Sequence, residues 1–158
     1  MLLYKVVTLI GLIMTLDEIL DVWEQDSIID EDHLDKESIT TAKLHSKYVR
    51  MLMQHKVKFA ALNNEYNTLR QRKFRWYRGE MGREELKDSG WDQWQGVKPL
   101  KNEMEEFLTG DGDLNRITIK MEYIKCIIEA LESIMKEIRG RDWSIRNAIE
   151  FKKFISGT

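Results

Sequence analysis

Ile117, Ile124, Leu131 and Ile138 recur every seven residues, and Ile127 and Ile134 fill the complementary position between them. A strand alternates its faces every two residues, so only a helix gathers these six onto one side. Met121, Ile128 and Met135 add another row, and a seam this wide suits packing against more than one neighbour, in a helical hairpin or an oligomer core. A second pattern precedes it. Leu44, Tyr48, Met51, Leu52, His55, Phe59, Leu62, Tyr66 and Leu69 fall three or four apart, predicting a long helix from about Thr40 to Arg78 that ends at Gly79 and Gly82. A single proline, Pro99, and 33% charged residues complete the composition of an all-α chain.

The remaining elements are read from local signals. Thr15 and Glu18 form a Thr-x-x-Glu capping box, so a short acidic helix with Leu16, Ile19, Leu20 and Trp23 on one face is expected at 15–25. Residues 26–37 read as a polar stretch and the glycine-rich 80–97 as a loop. Pro99 suits the first turn of a helix ending at Gly110. Gly140 should end the isoleucine helix, with Asp142 or Ser144 capping a last one that carries Ile145, Ala148, Ile149, Phe151, Phe154 and Ile155. The expected organisation is one helical domain over 14–158, in which 14–97 holds the acidic and basic helices and 98–158 the oligomerisation region. The apolar run "MLLYKVVTLIGLIM" is too short for a membrane span and lacks a cleavage site. Met14 is read as the initiator and residues 1–13 as a start-site extension, with an apolar docking segment as the alternative.

The net charge of −2 conceals a segregation. Asp17 to Glu37 holds ten acids against Lys36, whereas Lys43 to Arg78 holds ten bases against Glu65. Such separation marks surfaces with different partners. The basic part culminates in "RQRKFRWYRG", where Arg70, Arg72, Lys73, Arg75 and Arg78 interleave with Phe74, Trp76 and Tyr77. A solvated face would alternate signs. A membrane-surface helix would segregate bases from large apolar residues, and these bases cover most of the circumference. A nucleic-acid backbone neutralised by Lys and Arg, with aromatic faces for unstacked bases, fits better, and an acidic protein partner is the second choice.

Motifs for chemistry are missing or weak. No Gly-x-x-x-x-Gly-Lys-Ser/Thr run occurs, and His33, His45 and His55 lack metal-ligand spacing. His55 belongs to the long helix's packing face. "DGDLNRITIKME" sets Asp111, Asp113, Asn115 and Glu122 at calcium-loop positions, but Arg116 replaces the required glycine, so Asp111 and Asp113 are expected to cap a helix. Cys126, the one cysteine, reads as a small buried hydrophobe in a reducing, intracellular setting. No catalytic residue, metal or cofactor is expected, and the chain reads as a non-enzyme.

Taken in order, "MTLDEILDVWEQDSIID", "LHSKYVRM", the segment closing on "WYRG", "DLNRITIKMEYIKCIIEALESI" and "RDWSIRNAIEFKKFISG" resemble the UvsY family of recombination mediators of T-even-like bacteriophages. The resemblance runs from Met14 onward and spares the loop near 80–97. It implies a helical, ring-forming homo-oligomer in the host cytoplasm that binds single-stranded DNA without sequence preference. It also implies help for a phage recombinase in displacing the single-strand-binding protein. The family's basic-x-basic-hydrophobic motif falls on Gln71 to Phe74, where Lys73 keeps one basic position and Gln71 departs from the other. Trp76, Tyr77 and Gly79 match the family's aromatic pair and glycine just beyond that motif. On this reading Arg70, Arg72, Lys73, Arg75 and Arg78 hold phosphates, Lys56 and Lys58 extend the track, and Trp76 and Tyr77 stack on bases or brace the helix end. Ile117, Ile124, Ile127, Leu131, Ile134, Ile138, Ile149 and Phe154 would build the oligomer. The acidic 17–37 segment would contact a protein partner or screen the basic track. The alternative is a helical adaptor whose basic segment docks an acidic protein.

Overall fold

The computed structural model describes residues 14–157, and the expectation about residues 1–13 lies outside them. Five helices and no strand occur among the described residues: α1 (Leu16–Asp26), α2 (Leu34–Tyr77), α3 (Arg83–Ser89), α4 (Met104–Thr109) and α5 (Gly112–Ser156). None is long and apolar enough to cross a membrane. The described chain gathers into two compact units, one of residues 14–58 and 124–157, the other of 59–123, so the division cuts through both α2 and α5.

In the first unit the capping box forms as expected. Thr15 Oγ1 accepts from the Glu18 N–H at 3.3 Å, and Glu18 Oε2 accepts from the Thr15 N–H at 2.7 Å. Ile19 is fully buried, and the ring of Trp23 meets that of Tyr48 edge-on at 5.3 Å. The Tyr48 hydroxyl and the Lys47 ammonium both donate to Asp26 Oδ2, at 3.0 and 2.5 Å. Helix α2 starts at Leu34, six residues before the expected Thr40, because Leu34 is buried and Asp35 and Glu37 suit the positive end of a helix dipole.

Gly140 does not end a helix: α5 continues through it to Ser156. A helical glycine costs roughly 1 kcal/mol. Against that, Ile138, Arg141 and Ile145 are all buried around it, and a break would expose them. Arg141 donates to the carbonyls of Ser27 and Ile28, both at 3.1 Å, and ion-pairs with Glu37. It thereby ties the turn after α1 and the first turn of α2 to α5. His55 is buried as expected, with Nδ1 2.8 Å from the Met51 carbonyl and Nε2 3.1 Å from that of Met14. Cys126, by contrast, is exposed. Two residues beyond Ile124 place it about 200° round the helix from the seam.

The seam itself is covered within one chain. Ile124, Ile127, Leu131, Ile134 and Ile138 are buried in the first unit and Ile117 in the second. Full burial of such a side chain contributes about 1.5–3 kcal/mol, which holds these residues in the chain's own core. Of the residues expected at an oligomer interface, Ile149 is half-buried and Phe154 is exposed, as are Trp143, Phe151 and Ile155 nearby.

In the second unit Tyr77, Met104, Leu108 and Leu114 form the core, with Tyr66, Leu69, Phe74, Trp76, Trp94 and Phe107 packed against it. Gly79, at φ 70°, terminates α2: its N–H donates to the Trp76 carbonyl and that of Glu80 to the Arg75 carbonyl, both at 2.9 Å. This is the Schellman pairing, which needs a left-handed residue. Gly90, at φ 66°, repeats it at the end of α3, a helix where the sequence suggests only loop. Ahead of α4, residues 101–103 form turns where a helix starting near Pro99 was expected, and Gly110 caps the end as anticipated.

Candidate nucleic-acid interface

The last two turns of α2 carry the basic and aromatic residues, and the structure divides them into two sets. Lys73 is buried, its ammonium 3.1 Å from Asp111 Oδ2 and 2.7 Å from Asp113 Oδ2. It also sits 4.4 Å from the ring centre of Trp91 and 4.7 Å from that of Trp76, both distances suited to cation–π attraction. A lysine so enclosed is not presented to phosphate. Its place on the inward side of α2, next to Tyr77, gives it a structural role in this fold.

Tyr77 is likewise buried and donates its hydroxyl to Asp111 Oδ2 at 2.8 Å. Trp76 is half-buried, gives its indole N–H to the Asp92 carbonyl at 2.7 Å, and packs against the rings of Tyr77, Trp91 and Trp94. Both aromatics pack at the helix end in this fold. Asp111 ties this cluster to α5, since Oδ1 accepts from the Asp113 and Leu114 N–H groups at 2.9 and 3.1 Å. Burial would raise the Asp111 carboxyl pKa, but the Leu114 N–H, the Tyr77 hydroxyl and the Lys73 ammonium outweigh it and hold it below 3.8. The same burial, with the carboxylate beside it, pushes the Tyr77 phenol up. Asp111 therefore serves as a cap, and residues 112–122 are helical where a calcium loop would have to turn.

The arginines face outward. Arg70 pairs with Glu105, and Arg75 makes two bonds to Glu85 at 2.6 and 2.9 Å. Arg78 Nε lies 2.7 Å from Glu80 Oε1. Arg72 reaches the Ser89 hydroxyl and stacks its guanidinium 5.1 Å over Trp91. The Arg75 guanidinium, with the Gly82 N–H, holds Glu85 below the usual carboxylate range, and Glu85 in turn raises Arg75. Lys56 is exposed and pairs with Glu132 in the first unit, and Lys58 is half-buried there. The acids on residues 70–78 are thus Glu80, Glu85, Glu105, Asp111 and Asp113, all from the second unit. In the 17–37 segment, Asp26 binds Lys47, Asp30 binds His33 and Glu37 binds Arg141.

Sequence reasoning missed Trp91, Trp94, Glu85 and Glu105. The tryptophans at 91 and 94 beside Gly90 offered a signal, because a surface loop seldom carries two such residues unless they pack. No three or more His, Cys, Asp or Glu among the described residues group to hold a metal ion.

These features define an all-α protein of two long helices, the first of which, α2, ends in a rim of outward arginines over an aromatic core. The chain belongs to the UvsY family: the family model described as recombination, repair and ssDNA binding protein UvsY matches residues 22–158. Crystal structures of the bacteriophage T4 recombination mediator protein UvsY share the fold. One has a TM-score of 0.78 at 17% identity, covering 89% of this chain and 99% of that one. Another lattice gives 0.79 at 17%, covering 90% and 98%. A search of curated proteins finds no match.

Proposed function

We propose that the chain is a non-enzymatic recombination mediator. It grips single-stranded DNA without sequence preference through Arg70, Arg72, Arg75 and Arg78, with Lys56 and Lys58 extending the track. It helps a phage recombinase replace single-strand-binding protein on the strand, in recombination and repair within the infected host's cytoplasm. One observation carries the reading: in a member of this family, Arg70, Arg75 and Arg78 at the end of α2 are outward and engaged in ion pairs with solvent access. Such pairs are worth little and exchange readily for phosphate. A ring-shaped homo-oligomer would repeat the grip along one strand and raise avidity without new contacts. Phe154, with Phe151 and Ile155 on the last turns of α5, supports assembly there rather than along the buried isoleucine seam.

The second reading, an adaptor for an acidic protein, is favoured by the fact that these arginines already take carboxylates. Fluorescence anisotropy of a labelled oligo-dT strand against duplex and polyglutamate competitors separates the two. The mediator reading expects competition by unlabelled single strand well ahead of duplex. Absence of strand binding, with retained polyglutamate binding, would replace it with the adaptor.

A further inference from the structure

Arg70 and Phe74 of α2 and Arg78 just past its end follow one turn apart in one row, and the adjacent row has Gln71 and Arg75. Arg70, Gln71, Phe74 and Arg75 line a shallow open groove of about 350 Å³. Phe74 is half-buried: it packs on the core of its unit yet still lines the groove, and the Arg78 guanidinium lies 5.5 Å from its ring centre. Trp76 and Tyr77 are committed to the core and to Asp92 and Asp111. Phe74 is therefore the aromatic of this segment that lines the groove. The exposed Gln71 carries both a donor and an acceptor, so it can meet the edge of any base. The two lining arginines are held by Glu105 and Glu85, carboxylates that stand in for the phosphate oxygens of a strand.

We infer that this groove seats one nucleotide of a single strand, its base on Phe74 and its flanking phosphates exchanging with Glu85 and Glu105. The inference rests on the single-strand reading and adds to it a specific seat and a built-in competitor. The two carboxylates keep the arginines occupied, so a weak polyanion does not engage them and a continuous strand does. No covalent chemistry is involved.

The test uses the full chain and two labelled probes of equal phosphate count, oligo-dT and the same strand with abasic sites. Stacking on one aromatic is worth about a tenfold change in affinity. Phe74→Leu should weaken oligo-dT binding by about that factor and leave the abasic strand unchanged, and Phe74→Tyr should restore it. Glu85→Gln with Glu105→Gln should tighten both probes about threefold or more, since each removes a competing exposed ion pair. Equal loss on both probes in Phe74→Leu, or no restoration by Phe74→Tyr, would overturn the base seat. Unchanged or weaker binding by the glutamine pair would overturn the exchange. A wild type that binds neither strand would instead overturn the single-strand reading beneath it.

Discussion

Replacing Lys73 with methionine separates fold from grip. The Lys73 side chain is 6% exposed and that of Asp111 3%, so the substitution leaves a buried carboxylate without its cation. Breaking a buried pair this way costs about 3–5 kcal/mol. Asp111 keeps two backbone N–H donors and the Tyr77 hydroxyl, and Asp113, at 37%, can turn to water, which places the loss near the lower end, about 3 kcal/mol. For a chain of this size that lowers the melting temperature by about 6–12 °C. Arg70, 37% exposed and paired to a 73% exposed Glu105, should cost under about 1 kcal/mol when changed to alanine. Thermal melts followed by circular dichroism check both. Lys73→Met melting within about 2 °C of wild type, or below Arg70→Ala by no margin, would refute the structural assignment of Lys73. Adding Asp111→Asn to Lys73→Met should recover part of the loss, because the stranded charge is then gone.

The same geometry sets other outcomes. Tyr77→Phe removes a donor from Asp111 in a buried site and should cost about 1–2 kcal/mol in urea denaturation. Gly79→Ala forces a side chain into a left-handed conformation with its Cβ 3.2 Å from the Lys98 side chain, and should cost about 1–2 kcal/mol by the same measurement. His33 donates to Asp30 at 2.9 Å, which raises the His33 pKa and lowers that of Asp30. The stabilisation from the raised His33 is complete below 6.5 and is lost as pH rises through the folded value. Proton NMR should therefore find His33 titrating above 6.5, and returning toward it in Asp30→Asn.

The helices were largely legible because their signals are local. The Thr15 box, the Gly79 stop and the three-four spacing along α2 each depend on neighbouring residues. Gly140 misled because its local preference was weighed without the buried Ile138, Arg141 and Ile145 that hold the helix together. The site was half legible. Five cations within residues 70–78 announced a polyanion grip, but charge alone does not tell an inward lysine from an outward arginine. That distinction depends on Asp111 and Asp113, far along the chain, and on Trp91, in a loop where no periodicity reported its packing. Cys126 shows the same limit on a smaller scale, since an apolar neighbourhood in sequence is not an apolar face.

If the outward arginines, and not Lys73, hold the strand, the salt dependence of oligo-dT affinity will show it, measured for wild type, for Arg70→Ala/Arg75→Ala/Arg78→Ala, and for Lys73→Met below its melting point. Each phosphate contact contributes a slope of about −0.7 in log affinity against log salt, so the triple variant should lose about 2 from the slope. Lys73→Met should keep the wild-type slope. A triple variant with the wild-type slope, or a Lys73→Met slope reduced by about 0.7 in a folded protein, would contradict the account.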